Sequence, residues 1–230
     1  MFEELTAANY GLSASPEANP TVEADNSLPR AVLRQGTHFL LDGKWKFALD
    51  PDDAGLAEEW YEGRDYHFVA QWPGSIEEHI AMAHAIETTW QDKVVAWYER
   101  TFDRPEVVGD ASRKLIQLTF GACGYETRVW LNGQLLETIE GESIHYGEYT
   151  SFTYELPEED LLPVNRLTVR IADTMDAETP RGKQESHVYK RGGIWYQTHS
   201  GAVRSGWLES GERNRLRSRV GVESVIEDQM

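Results

Sequence analysis

Aromatic and polar side chains alternate with glycines near the C-terminal end of the chain, in the segment R-G-G-I-W-Y-Q-T-H-S-G-A-V-R-S-G-W-L-E-S at residues 191–210. Rings such as those of Trp195 and Tyr196 can stack on the apolar face of a sugar, while neighbouring Arg and Gln side chains hydrogen-bond to its hydroxyls. A phosphate loop is excluded, because neither G-x-x-x-x-G-K-[ST] nor strand-G-x-G-x-x-G-helix is present. A turn between strands and the edge of a sugar site both remain possible.

Metal-binding patterns are weak. The acidic segment D-P-D-D-A-G at residues 50–55 places Gly55 at the sixth position of an EF-hand loop, but Ala54 and Tyr61 stand where the loop requires ligands. We interpret the segment as a helix cap formed by an aspartate. His79 and His84 are five residues apart and do not share a helix face. The sequence therefore predicts no metal and no cofactor.

Nucleophilic and carboxylate chemistry is equally unsupported by local motifs. Cys123 is the only cysteine, so it forms no internal disulfide, and no neighbouring residue marks it as a nucleophile. We predict that it is a small residue of a strand or loop. The pair Glu77-Glu78 is one of many in a chain with 39 acidic residues, and we interpret it as part of a solvated charged face.

The net charge of −17 limits the partners of the protein. It repels phosphates, so we expect neither nucleic acid nor an anionic membrane surface as a partner. No apolar run approaches the roughly 18 residues of a membrane-spanning helix, and the acidic N-terminus is unlike a signal peptide, which predicts a cytoplasmic protein. Sixteen Arg against six Lys in an acidic chain is typical of salt-loving organisms, with an acidic mesophilic protein as the alternative.

Short alternating segments dominate the chain from Phe39 onward. K-L-I-Q-L-T-F and N-R-L-T-V-R-I each place apolar residues on one face of a strand, and Asn132-Gly133 predicts a type I′ hairpin between two such runs. Ser75 and Glu78 form a capping box at the start of a short helix. Many short strands with one or two short helices predict an all-β fold, an antiparallel β-sandwich.

Five motifs, in this order, resemble the N-terminal sugar-binding domain of glycoside hydrolase family 2, which includes β-galactosidases, β-glucuronidases and β-mannosidases. They are L-D-G-K-W-K-F, W-Y-E-R-T-F, F-G-A-C-G-Y-E-T-R-V-W-L-N-G, P-R-G-K-Q and G-I-W-Y-Q-T-H-S-G-A-V-R-S-G-W-L-E. The similarity covers roughly residues 38–210. It implies a jelly-roll β-sandwich of the galactose-binding type and a β-glycoside as the ligand.

The resemblance also implies where the sugar lies. In the family, the segment matched by residues 193–209 borders the active site, close to the loop matched by residues 180–184. The candidates for a sugar-facing edge are therefore Arg181, Lys183, Gln184, Trp195 and Tyr196. For the two aromatic residues, the alternative is that they plug the sandwich or its interface.

Two departures from the family pattern leave the sugar open. Galactosidases and glucuronidases carry an Asp six residues before the glycine matched by Gly201, where this chain has Trp195. Galactosidases also carry an Asn or Asp in the block matched by residues 122–125, where this chain has Gly124. Each change removes a group that would bind a sugar hydroxyl.

The catalytic apparatus of the family has no counterpart in the sequence. The family uses two glutamates on a TIM barrel, about 5 Å apart in a retaining enzyme, and its acid/base glutamate follows an asparagine. No Asn-Glu dipeptide occurs here, so we expect no catalytic residues and no hydrolysis by this chain alone. A catalytic barrel on a longer or separate chain is the expected partner.

We predict a flexible leader over residues 1–30, the sugar-binding domain over residues 31–210, and over residues 211–230 a linker with the possible first strand of a further domain. The function is expected to be that of a glycosidase's sugar-binding domain. The alternatives are a stand-alone lectin-like module and a structural or interaction domain without a ligand.

Overall fold

Strands make up most of the protein. The computed structural model describes residues 37–79, 93–105 and 114–214. The strands are, in chain order, β1 (Thr37–Leu40), β2 (Gly43–Leu49), β3 (Phe68–Trp72), β4 (Gly74–Ser75), β5 (Lys93–Asp103), β6 (Lys114–Phe120), β7 (Glu126–Leu131), β8 (Gln134–Leu135), β9 (His145–Tyr146), β10 (Phe152–Leu156), β11 (Val164–Thr174), β12 (Gly201–Ala202) and β13 (Gly206–Glu212). The helical elements are α1 (Ile76–His79) and two 3-10 turns, Trp60–Glu62 and Glu158–Asp160. The predicted all-β jelly-roll class is confirmed.

Two antiparallel sheets face each other across one core. The first has the strand order β1-β13-β6-β10, and the second has the order β3-β2-β5-β11-β7-β8, with β9 also paired to β7. The chain passes from the first sheet to the second between Leu40 and Gly43. A third, two-stranded element pairs β4 with β12 and closes one end of the sandwich.

The alternating apolar residues fill the space between the sheets, as their period predicts. Leu118 and Phe120 of β6 and Val169 and Ile171 of β11 are fully buried there. The Trp45 and Trp72 rings stack with a centroid distance of 4.6 Å in the same core. Because each strand contributes every second residue, the apolar period fixes which face of each sheet points inward.

The outer face of the larger sheet is also covered. Trp97 and Trp130 are buried on that face beneath the segment 50–66, where they stack on each other with centroids 5.2 Å apart. Asp50 anchors the start of this segment by accepting hydrogen bonds from the backbone N–H groups of Ala54 and Gly55, at 2.8 and 2.9 Å. The interpretation of this segment as a helix cap is wrong, because Asp50 fastens a turn. The 3-10 turn that follows begins at Trp60, and its N-cap residue, Glu59, makes no side-chain capping bond.

Two local motifs have their predicted geometry. Asn132 and Gly133 have φ angles of 53° and 90°, the left-handed region that the hairpin between β7 and β8 requires. The capping box closes with both bonds at 3.1 Å, from Glu78 N–H to Ser75 Oγ and from Ser75 N–H to the Glu78 carboxylate. Residues beyond His79 in the predicted helical patch lie outside the described residues. No helix in the described ranges has the length and apolar character needed to cross a membrane.

Candidate functional site

The candidate site lies at the end of the sandwich where β11 leaves the larger sheet. The long connection from β11 to β12 spans residues 175–200 and folds back over this end. It meets the segment 147–151, which joins β9 to β10, and the start of α1. Side chains from three distant parts of the chain therefore converge here.

Asp173 and Arg181 form a buried ion pair at the base of this site. Asp173 is the penultimate residue of β11, and its Oδ2 lies 3.0 Å from Arg181 Nη2. The two side chains are 0% and 3% exposed. Ser200 Oγ donates a hydrogen bond to the same carboxylate oxygen, and Thr174 N–H donates to the other at 2.8 Å. These bonds fasten the β11–β12 connection to the sheet at both of its ends.

Gln184 connects the same segments one step closer to the surface. Its Oε1 accepts a hydrogen bond from the backbone N–H of His199 at 2.6 Å. Its Nε2 donates to the carboxylate of Glu148 and, at 3.1 Å, to the hydroxyl of Tyr149. Tyr149 is half exposed. The side chain of Gln184 is therefore the link between the buried polar cluster and the solvent-facing rim.

Three buried carboxyl groups share this region. Glu77, at the start of α1, accepts hydrogen bonds from Ser200 N–H at 3.0 and 3.1 Å. Burial raises the pKa of Glu77 and that of Glu148 to about 7 in each case, and the charge of Asp173 adds to both shifts. Burial also raises the pKa of Asp173, against the lowering effect of Arg181. We call Glu77, Glu148 and Asp173 the carboxyl cluster.

The interpretation of Glu77-Glu78 as a solvated face is wrong for Glu77. Glu78 is exposed, but Glu77 is only 7% exposed because the segment ending at Ser200 covers it. The contact joins residues 123 positions apart in sequence. No local pattern carries that information, so sequence reasoning missed both Glu77 and Glu148 as members of the site.

Glu77 makes folding depend on pH. Its pKa is about 7 in the folded protein against an ordinary value of 4.5, so the folded state retains a proton that the unfolded state has released. Glu77 therefore lowers the free energy of unfolding as pH rises between those values. His79 acts in the opposite direction, because burial lowers its pKa to about 4 and stability rises as pH approaches 6.5.

A Glu77→Gln variant separates these two contributions. The difference in unfolding free energy between the variant and the wild type is expected to shift in favour of the variant as pH rises, by up to about 1.4 kcal/mol per pH unit between about pH 5 and about pH 7. Urea denaturation at several pH values measures this difference, with Glu155→Gln, an exposed carboxylate on β10, as the control. A difference that stays constant with pH would contradict the assignment of a protonated Glu77.

Aromatic and apolar side chains form an exposed rim around the cluster. Tyr189 and Trp195 stack with ring centroids 4.1 Å apart and an interplanar angle of 13°. Tyr196 is 66% exposed and Ile194 is 61% exposed. The backbone holds this rim in place, because Tyr196 N–H donates to the Lys183 carbonyl at 2.7 Å and Glu185 N–H donates to the Tyr196 carbonyl at 2.7 Å.

The five residues predicted for a sugar-facing edge occupy two levels of one site. Lys183, Trp195 and Tyr196 belong to the exposed or half-exposed rim. Arg181 and Gln184 are 4% and 7% exposed and lie in the polar layer beneath it. Trp195 is outside the hydrophobic core, so it does not plug the sandwich. The structure brings all five residues to the same end of the molecule.

Other residues considered for chemistry take structural positions. Cys123 is fully buried in the core, and burial raises the pKa of its thiol well above its ordinary value, as expected for a packing residue. His79 is buried and contacts the Gln71 carbonyl at 2.9 Å, while His84 lies outside the described residues. Within the part of the chain that the structure covers, no three His, Cys, Asp or Glu side chains are grouped to hold a metal ion.

The fold and the site together define a jelly-roll β-sandwich domain that carries a buried polar cluster beneath an aromatic rim at one end. No protein-family model matches the chain. Solved β-glucuronidases share the fold. Superposition on the β-glucuronidase of Ruminococcus gnavus gives a TM-score of 0.57 at 20% sequence identity, covering 80% of this chain and 30% of that one.

Two further structures give the same result. A complex of the R. gnavus enzyme with uronic deoxynojirimycin matches with a TM-score of 0.56 at 20% identity, covering 86% of this chain and 32% of the other. The β-glucuronidase of an uncultured Clostridium sp. matches with a TM-score of 0.53 at 20% identity, covering 80% and 30% of the two chains. The resemblance drawn from the sequence motifs is confirmed at the level of the fold. The match covers only 30% of the R. gnavus β-glucuronidase chain and 30% of the Clostridium sp. chain.

Proposed function

We propose that the protein is a sugar-binding domain of the type found in family 2 glycosidases, and that it binds a β-glycoside at the aromatic rim. The observation that carries the proposal is the stack of Tyr189 and Trp195 beside Tyr196, above a layer of buried hydrogen-bonding groups. Aromatic faces and polar groups in this combination bind sugars, whose rings have apolar faces and hydroxyl edges. The motif order and the shared fold support the same assignment.

Catalysis is assigned to a region outside this domain. The solved β-glucuronidases of the same fold have chains more than three times as long as the part that matches. The exposed apolar side chains at the rim, among them Val188 at 67% and Ile194 at 61%, offer a surface on which such a region would dock. We therefore propose a catalytic barrel, on a longer or separate chain, as the partner, and expect no glycoside hydrolysis from the 230-residue chain.

Tryptophan fluorescence tests the binding proposal. The purified chain is titrated with methyl β-galactoside, β-glucoside, β-glucuronide, β-mannoside and β-xyloside in molar salt, which screens the charge of −17. We expect saturable quenching by at least one of these sugars and a loss of affinity of at least tenfold in Trp195→Ala, as a stacking platform is removed.

Trp207→Ala is the matched control for this titration. Trp207 is also a half-exposed tryptophan, but it lies on β13 and outside the rim. Its replacement is expected to leave sugar affinity unchanged. If no sugar quenches the fluorescence of a chain that circular dichroism shows to be folded, the result would favour the alternative of a structural domain without a ligand, which only supports the catalytic region.

A further inference from the structure

Glu148 occupies the space that a side chain at position 124 would need. A Cβ atom added at Gly124 would lie 2.4 Å from Glu148 Cγ and 3.1 Å from its Cδ. Atoms at these distances overlap, so a residue larger than glycine at 124 and the present position of Glu148 exclude each other. The amide or carboxylate that galactosidases of the resembled family carry in this block is therefore absent here, and a carboxylate from the segment between β9 and β10 fills the volume beside Gly124.

One oxygen of this carboxylate has its hydrogen bond and the other has none. Oε1 accepts from Gln184 Nε2, while Oε2 is buried and has no hydrogen-bond partner within residues 37–79, 93–105 and 114–214. The Glu148 side chain is 2% exposed. A buried acceptor without a donor is costly and requires an explanation, and a ligand hydroxyl that supplies the donor is one such explanation at this end of the sandwich.

Glu148 is connected to the exposed rim through the side chain of Gln184. Gln184 Nε2 donates both to Glu148 and to the hydroxyl of Tyr149, a residue that is half exposed. The carboxylate thus lies one hydrogen-bonding side chain below the surface on which the sugar is proposed to stack. The Tyr149 side chain also hydrogen-bonds to the Glu148 carboxylate, so this half-exposed residue contacts the buried group directly.

The charges around Glu148 determine which ligands this position accepts. Two further carboxyl groups, Glu77 and Asp173, complete the carboxyl cluster, and the charge of Asp173 acts directly on Glu148. Among the residues that the structure describes, the buried cation that contacts this cluster is Arg181, which is bound to Asp173 at 3.0 Å. At the rim, Arg191 is already paired with Glu185 at 2.8 Å, and Lys183 is exposed, so water and salt screen its charge. A ligand carboxylate entering here would meet negative charge in a poorly hydrated site.

We propose, on the basis of the proposed function, that the sugar bound at this end is a neutral β-glycoside, held by a hydroxyl that donates a hydrogen bond to Glu148 Oε2, and that a β-glucuronide is disfavoured. The preference thus differs from the substrate named for the solved enzymes that share the fold. A hydroxyl supplies the donor that Oε2 lacks. A uronate carboxylate supplies only acceptors and adds a charge of the same sign.

Paired titrations test this inference. Methyl β-glucoside and methyl β-glucuronide differ only at C6, and their affinities are measured by tryptophan quenching at about pH 8, where Glu148 is ionised because its pKa lies near 7. We expect the wild type to bind the glucoside at least tenfold more tightly. In Glu148→Gln, affinity for the glucoside is expected to fall about tenfold, the effect of replacing a charge-assisted hydrogen bond by a neutral one. Affinity for the glucuronide is expected to rise.

Glu155→Gln is the control, since it makes the same change in net charge on the exposed face of β10. It is expected to leave the preference unchanged. Equal or tighter binding of the glucuronide by the wild type overturns the inference and leaves the proposed function standing. An unchanged preference in folded Glu148→Gln also overturns the inference. Failure of every neutral sugar and of the glucuronide to bind the folded wild type overturns both.

Discussion

An Arg181→Met variant is expected to lose about 3–5 kcal/mol of unfolding free energy at neutral pH, the range found when one partner of a buried ion pair is removed. The replacement leaves Asp173, whose side chain is 0% exposed, without its cation. It also removes the hydrogen bond from Arg181 Nη1 to the Glu185 carbonyl at 3.2 Å. Equilibrium denaturation in urea measures the loss.

Arg191→Met provides the matched comparison. Arg191 forms an ion pair of similar length with Glu185, but its side chain is 45% exposed. Exposed pairs contribute roughly 0–1 kcal/mol because water screens both charges. Equal destabilisation by the two variants would contradict the view that Arg181 acts as the buried counter-charge of the site.

The double variant Arg181→Met/Asp173→Asn isolates the charge itself. The asparagine Oδ1 can still accept the hydrogen bond from Thr174 N–H, and its Nδ2 can donate to Ser200 Oγ, so both groups that contact Asp173 in the wild type keep a partner. It carries no charge that requires compensation, so the double variant is expected to recover at least half of the stability lost in the single variant. The deficit of the single variant should also shrink at low pH, because protonation neutralises Asp173, whose pKa burial already raises.

These expectations give Arg181 a different role from the one that the family resemblance implies. The sequence analysis placed it at the sugar-facing edge, and the structure puts it beneath that edge with 4% exposure. Its main effect should therefore be on stability, and its effect on sugar binding should follow from loss of the loop that carries Gln184. If Arg181→Met kept its stability but lost its affinity for the sugar, the result would support a direct contact between Arg181 and the sugar.

Local periodicity was enough to predict an all-β sandwich, whereas the jelly-roll assignment came from the family resemblance. The alternation in N-R-L-T-V-R-I places Leu167, Val169 and Ile171 in the core, where each is fully buried. The turn at Asn132-Gly133 and the capping box at Ser75 are likewise short-range features, since every bond that defines them joins residues a few positions apart. Short-range physics of this kind is visible in a sequence.

The site could be predicted only in part, because its polar layer is built from long-range contacts. Ser200 N–H reaches Glu77 across 123 positions, and Gln184 reaches Glu148 across 36. In a chain with 39 acidic residues, no pattern distinguishes these two glutamates from the solvated majority. The resemblance identified the segment that carries Gln184, Trp195 and Tyr196, since motif order survives where individual contacts change.

A side chain at position 124 should affect both packing and sugar binding, because it would displace Glu148. Its backbone is fixed by two hydrogen bonds with Gly201, N–H to carbonyl in both directions at 2.9 and 3.1 Å, so it cannot move away from Glu148. A Gly124→Ala variant is therefore expected to expel the Glu148 side chain from its position. We expect a loss of about 1–3 kcal/mol in unfolding free energy, as for other overpacked interiors, and a loss of affinity for neutral glycosides at least as large as in Glu148→Gln.

A double-mutant cycle with Glu148→Ala tests this mechanism. Once the Glu148 side chain is truncated, the added methyl group at 124 no longer meets Cγ, so the second substitution should cost much less than the first. Urea denaturation of the four proteins gives the coupling free energy, which we expect to be about 1 kcal/mol or more in favour of the double variant. Additive effects would show that the clash with Glu148 is not the cause.

The exchange variant Gly124→Asn/Glu148→Ala tests whether a polar side chain at position 124 can replace Glu148 in sugar binding. It returns a polar side chain to position 124, where galactosidases of the resembled family carry an Asn or Asp, and empties the volume that Glu148 fills in this chain. If a polar group in this volume binds the sugar hydroxyl, whichever residue supplies it, the exchange variant should bind neutral glycosides more tightly than Gly124→Ala/Glu148→Ala does. Because Asn carries no charge, the discrimination against a β-glucuronide should weaken at the same time. Recovery of affinity with undiminished discrimination would assign that discrimination to Asp173 and Glu77 instead of Glu148.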